Sequence, residues 1–205
     1  MAKKKISKNR NSVKKREAII NAALSTFLKH GYGVTTIDKI VSDAGGSKAT
    51  IYKYFRDKEE LFSTVVDKLV KHGQFSTTLD PEEDPEQALL NLAFIRLNVI
   101  FNAQHSSLRR LVIGESVRFP NIAKTYYTHG PEYSHKQLVK YFNEQNQRGV
   151  LKIDDADLAA EIFQGILTHP FYLKSLFSVT TRFSDASIKN HARKVVEKFL
   201  KLYRA

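Results

Sequence analysis

The chain of 205 residues contains no cysteine. Disulfides and thiolate chemistry are therefore excluded, and nothing points to an oxidising compartment. No apolar run approaches ~20 residues, so no membrane-spanning helix is expected. The basic opening, MAKKKISKNRNSVKKRE, leads into no apolar h-region, which predicts no secretory leader. A cytoplasmic location is expected. The seven histidines form no HxxxH or HxH pair, and without cysteine no metal site is expected. A GxSxG elbow, a phosphate loop and a nucleophile–base pair in sequence context are missing as well. No cofactor is expected, and a helical hydrolase is the least supported of the readings. Strand-like alternation bounded by turn signals is also absent.

What is present is positive charge, unevenly placed. The net charge is +12. Residues 1–75 hold 16 Lys+Arg against 7 Asp+Glu, whereas residues 76–205 hold 17 against 14. The excess survives if Lys3, Lys4 and Lys5 are discounted as a lysine tail. A polyanion partner for the first third follows, because neutralised phosphates release condensed counterions. Generic solubility is the alternative.

Within that third lies TTIDKIVSDAGGSKATIYKYFRDK, residues 35–58. Thr36 is placed to cap a helix over 37–43, in which Ile37, Ile40 and Val41 share a face. Gly45-Gly46 stops it. Ser47 then caps a second helix to Phe55, with Ile51 and Phe55 inward and Lys48, Thr50, Tyr52, Lys53 and Tyr54 outward or at the edges. This predicts a helix-turn-helix with Ser47 to Phe55 as recognition helix. A support helix is expected over 12–30, with Ile20, Ala23, Leu24, Phe27 and Leu28 inward, behind a flexible basic arm at 1–11. A further helix, capped by Asp57, should bury Leu61, Phe62, Val65, Val66 and Leu69. The DNA-binding domain is assigned to 12–72.

The run Phe27…Gly31-Tyr32…Thr35-Thr36-Ile37…Ala44-Gly45…Ser47-Lys48-Ala49-Thr50-Ile51-Tyr52-Lys53-Tyr54-Phe55…Lys58-Glu59-Glu60-Leu61-Phe62 resembles the N-terminal domain of TetR-family transcriptional regulators. Gly46 stands where an apolar residue is usual, which predicts a looser turn, and Ala49 where glycine is common. The resemblance implies DNA contact from Thr36, the recognition helix and Lys58. With the residue chemistry, the expected set is Thr36, Lys39, Ser47, Lys48, Thr50, Tyr52, Lys53, Tyr54 and Lys58. Lys39 could equally be solvated, and Tyr54 could pack on the support helix instead. The recognition helix carries no arginine, so its sequence leaves the operator open.

Residues 73–85, polar, acidic and bracketed by prolines, mark a boundary. Residues 86–205 read as helical throughout, giving an all-α protein of about nine helices. Pro120, Gly130-Pro131, Gly149 and Pro170 are the expected punctuation, with Pro170 kinking or ending its helix. The pattern Arg118-Phe119-Pro120…Gly130-Pro131…Arg148-Gly149…Ala159-Ala160-Glu161…Gly165 looks like the ligand-binding domain of the AefR-like subgroup. The resemblance implies a homodimer paired through its last two helices on a palindromic double-stranded operator, and a small-molecule effector. The dimer face is assigned to Phe163, Ile166, Phe171, Ile188, Ala192, Val195 and Phe199, with Gly165 as a close-approach point; closing a monomer core is the alternative. Pocket candidates are Asn98, Phe101, Val112, Glu115, Phe119, Tyr126, Tyr127, Gln164 and His169, with Arg118, Arg96 or a ligand cation facing Glu115. Such a pocket would be mostly apolar with a few polar anchors. A DNA-binding factor of the same fold that senses no small molecule is the runner-up.

Overall fold

The computed structural model describes the backbone of residues 2–74, 79–180 and 182–205, and the side chains of 11–69, 79–180 and 182–205. Among these residues there are ten α-helices where about nine are expected: α1 (Ala2–His30), α2 (Ile37–Ala44), α3 (Lys48–Tyr52, ending short of the expected Phe55), α4 (Lys58–Gln74), α5 (Pro85–Ile100), α6 (Ala103–Glu115), α7 (Pro120–Tyr127), α8 (Tyr133–Gln147), α9 (Ala156–Leu176) and α10 (Asp185–Tyr203). β-Pairing among them is confined to one isolated bridge, Leu151 to Arg204. The chain divides into two compact units. One comprises residues 1–69 and 111–126, the other 70–110 and 127–205, so the division falls inside α6.

In the first unit Ile19, Ile20, Ala23, Leu24 and Phe27 of α1, Ile40 of α2, Ile51 and Phe55 after the turn, and Leu61, Phe62, Val65 and Val66 of α4 are buried, with α1 packed on α2 and the Phe27 ring on Phe62. The backbone of α1 is helical from Ala2, well ahead of the expected start at Ser12. The basic side chains of the arm expected at 1–11 lie outside the described residues. Phe27, Tyr32, Phe62 and Phe119 form an aromatic knot with centroids 5.1–5.6 Å apart, mostly edge to face. Phe119 explains why residues 111–126 belong to this unit rather than to the second domain that the sequence drew from residue 86.

The second unit packs α5, α8, α9 and α10 around Leu89, Leu92, Leu97, Leu138, Phe142, Phe163, Leu167, Val196 and Phe199. Phe142 stacks on Phe199 at 5.1 Å, and Phe163 meets the same ring edge-on. Asp84 and Asp155 cap α5 and α9 by accepting two backbone N–H groups each. The acidic loop is described only from Leu79, since residues 75–78 lie outside the described set.

Asn102 caps α6, its Oδ1 accepting from the His105 N–H at 2.9 Å. Two proline signals resolve within helical backbone. Gly130-Pro131 does not interrupt it: Thr128–Glu132 forms a π-helical segment leading into α8. Pro170 lies inside α9 without ending it. A proline there cannot donate to the Ile166 carbonyl one turn back. The His191 ring of α10 lies within hydrogen-bond distance of that orphaned oxygen, with Nε2 3.2 Å from Ile166 O and 3.1 Å from Leu167 O. Protonated at Nε2, the ring supplies the donor that the backbone lacks.

Candidate DNA-reading surface and effector cavity

The reading surface is built from two caps and one turn. Thr36, in extended backbone, accepts the Lys39 N–H at 3.3 Å and starts α2. Ser47 does the same for the Thr50 N–H at 3.2 Å and starts α3. Between them Gly45 has φ +64° and Gly46 φ +132°, conformations that side-chain-bearing residues rarely adopt. The turn is fastened rather than loose: Lys15 of α1 donates to the Gly45 carbonyl at 3.1 Å. Thr26 of α1, buried, stands 2.8 Å from the Asp43 carboxylate of α2. With Ile40, Ile51 and Phe55 buried beneath, the opposite faces of α2 and α3 are left outward.

Of the residues expected on DNA, Thr36, Lys39, Ser47, Lys48, Tyr52 and Lys53 are exposed and Thr50 half-buried. Lys48 forms an ion pair with Asp38 at 2.9 Å, both side chains being more than half exposed. The hydrogen bond to Asp38 raises the Lys48 ammonium above its usual range. Such a surface pair stabilises the fold by little and can be exchanged for a phosphate. Tyr52 is 53% exposed. Thr50 is engaged with the cap, its hydroxyl 3.1 Å from that of Ser47. Tyr54 takes the packing alternative: its phenol lies 3.1 Å from the Ser12 hydroxyl of α1. Sequence reasoning passed over Arg56, exposed just after α3 and held to Asp57 at 2.9 Å.

Lys58 departs from the expected role. Its ammonium donates to the carbonyls of Tyr32 (2.9 Å), Thr35 (3.0 Å) and Gly33 (3.4 Å), and lies 4.3 Å from the Tyr32 ring centroid. A lysine has three protons, and these three acceptors use them. Burial pushes its pKa down, with the Glu115 carboxylate opposing. Burial likewise pushes the Tyr32 phenol up to about 12, helped by Glu59, Asp57 and Glu115. Lys58 thus clamps the α1–α2 connection in the free protein.

The nine pocket candidates are divided between the two units. Val112, Glu115, Phe119 and Tyr126 belong to the first unit and the other five to the second. Glu115 is engaged within its own unit. Its carboxylate accepts the Gly33 N–H at 2.9 Å, and Arg118 lies over the Phe119 ring. Tyr127 and His169 are exposed. Gln164 lies 3.2 Å from the His135 ring, which in turn meets Asp157 at 2.8 Å. Asn98 and Phe101 share a lining, that of an open groove of about 600 Å³ beside Phe183 and Ile188. A second cavity of the same unit, about 180 Å³, lies between α5 and α8 and is lined by Arg96 and Tyr141. Sequence reasoning missed Tyr141 altogether, because a tyrosine on an apolar stripe signals core.

The dimer assignment is corrected in detail. Phe163, Phe171, Ile188, Ala192, Val195 and Phe199 are at most 6% exposed and form the core of the second unit. Ile166, at 54%, is the member of that set that faces outward. On α9 it is flanked by exposed Leu158, Leu173 and, just beyond the helix, Phe177. A side chain added at Gly165 would meet nothing within 4 Å, so Gly165 marks an open face and not a close approach within the chain.

Residues 19–65 match the family model described as bacterial regulatory proteins, tetR family, and residues 87–205 that of the AefR-like transcriptional repressor, C-terminal domain. The HTH-type transcriptional repressor SCO4008 of Streptomyces coelicolor is 26% identical over 65% of this chain and 65% of its own length. A solved protein from Mesorhizobium loti, described as of the TetR transcriptional-regulator family, superposes with a TM-score of 0.83 at 33% identity, over 95% of this chain and 98% of its own. The flavonoid-responsive regulator FrrA gives 0.80 at 28% identity, over 93% and 97%. Among the described residues no helix is long and apolar enough to cross a membrane, and no cluster of metal-ligating side chains is found.

Proposed function

Because the chain belongs to the TetR family, with an AefR-like C-terminal domain, and is a DNA-binding transcriptional regulator and not an enzyme, we propose that it is a homodimeric repressor. It reads a palindromic operator in the cytoplasm and leaves it when a small, mostly apolar ligand binds. The observation that carries this reading is the α2–α3 unit: two oxygen caps and a double-glycine turn bury Ile40, Ile51 and Phe55 and leave Lys39, Lys48, Tyr52 and Lys53 outward. The phosphate-seeking charge is concentrated in the same third of the sequence. Two such units related by a two-fold axis suit half-sites about one helical turn apart or slightly more. The exposed apolar stripe of α9, from Leu158 through Ile166 to Leu173, supports self-association. The similarity to the flavonoid-responsive FrrA supports an effector with a flat apolar body. The similarity to the transcriptional repressor SCO4008 supports repression.

Gel-shift titration against DNA upstream of the protein's own locus tests the reading surface. Lys48→Ala and Tyr52→Ala should each weaken binding by about 1–3 kcal/mol while light scattering finds the assembly unchanged. Unchanged affinity in both variants would overturn the assignment of α3.

A further inference from the structure

Arg96, half-buried as a residue, carries a positive charge with no ion-pair partner among the described residues. It sits on α5, and its Nη1 is buried without a partner among the described residues. Its one bond is long, Nη2 to the Ser134 carbonyl at 3.5 Å. Desolvation alone pulls its pKa down to about 10, so the guanidinium stays charged at neutral pH with no carboxylate contributing. The side chains outside the described set contain no carboxylate either, as residues 1–10, 70–78 and 181 include no Asp or Glu. Buried charges are ordinarily paired, and removing a partner is what makes them costly.

A second orphan shares the cavity. Tyr141 on α8 is 1% exposed, and its hydroxyl has no partner among the described residues. Burial, with Glu83 and Asp84 adding, pushes that phenol up to about 12, so it stays a protonated donor. The remaining charged lining residues, Lys140 and Glu144, stand 3.7 Å apart and offset each other. The lining is thus left with one net positive charge, that of Arg96. Leu79, Leu92 and Leu138 supply apolar wall. The volume is about 180 Å³, and an apolar cavity of about 150 Å³ holds a benzene-sized molecule.

We propose that this cavity between α5 and α8 is an anion-reading effector subsite, in which Arg96 and Tyr141 receive the carboxylate of a small molecule whose apolar body is about one ring in size. A planar guanidinium suits the two oxygens of a carboxylate, and the unpartnered phenol of Tyr141 lines the same cavity. The inference rests on the ligand-released reading above and gives the effector its chemical class: a small monocarboxylate, charged at one end and apolar at the other.

The test uses the full chain with benzoate and phenylacetate as probes and benzamide and phenylacetamide as their neutral counterparts, read by calorimetric titration and melting. Both carboxylates should bind and raise Tm, with each amide at least about tenfold weaker. Arg96→Met should abolish the preference for carboxylates while leaving the melting temperature of the free protein equal or higher, since it removes an unpaired buried charge. An arginine that merely held Ser134 would instead lower it. Tyr141→Phe should weaken carboxylates several-fold and leave amides unchanged, which decides the matter if Arg96→Met does not fold. Equal affinity for acids and amides, no binding of either acid, or a carboxylate preference that survives in Arg96→Met would overturn the subsite. The two proposals part in the gel shift. Arg96-dependent binding of benzoate with the operator complex intact keeps the subsite and removes ligand release. Release by neutral apolar compounds, with no carboxylate binding, does the reverse.

Discussion

Lys58 places an ammonium where three backbone carbonyls converge. The connection from α1 to α2 turns through Gly31, with φ +86°, and its carbonyls have no helix to receive them. Lys58 fills that role from below, and Glu115 answers with an acceptor for the Gly33 N–H. Lys58→Met should therefore cost about 2–3 kcal/mol in urea unfolding, since charge-assisted bonds to partly buried acceptors are lost. Its effect on operator binding should leave the salt slope unchanged. Lys53→Ala, by contrast, should reduce that slope by about 1 while leaving stability alone. A smaller salt slope in Lys58→Met would restore the phosphate role implied by family resemblance.

At the scale of the element, the α2–α3 turn rests on glycine in a way that resemblance alone would misjudge. An apolar residue is usual at position 46, yet Gly46 here has φ +132°, and an added Cβ would lie 3.5 Å from the Lys15 ammonium. Gly46→Val should accordingly destabilise the first unit by about 1–3 kcal/mol and lower operator affinity with it, as thermal unfolding and gel shift would record. A neutral or stabilising outcome would mean that the turn relaxes to the geometry of its relatives. The caps were legible because they are local: Thr36, Ser47 and Asp155 need only the residues two or three positions ahead of them. What escaped the sequence is what depends on a distant partner. The persistence of α9 through Pro170 relies on a histidine 21 positions later, and the role of Lys58 on carbonyls 23 to 26 positions earlier. α9 carries two apolar stripes, Phe163 and Phe171 inward and Ile166 and Leu173 outward; periodicity finds both without saying which is core.

For the whole molecule, the dimer proposed above would use the outward stripe of α9 as its meeting surface. Ile166→Glu should turn the dimer into a monomer at micromolar concentration, seen by light scattering, while unfolding shifts by no more than about 0.5 kcal/mol because the residue is exposed. Operator affinity should fall steeply, since one reading head is left where two were bound. A persistent dimer would place the interface elsewhere. Pro170 lies midway along that stripe, with Leu158 and Ile166 before it and Leu173 and Phe177 after. The carbonyl that Pro170 leaves without a helix donor is met there by His191 of the neighbouring α10. On the dimer proposed above, two diverged copies in one cell that differ at position 170 or 191 would carry that stripe on differently supported backbones. They would be kept from mixing by the backbone of a helix, even with every contact residue identical.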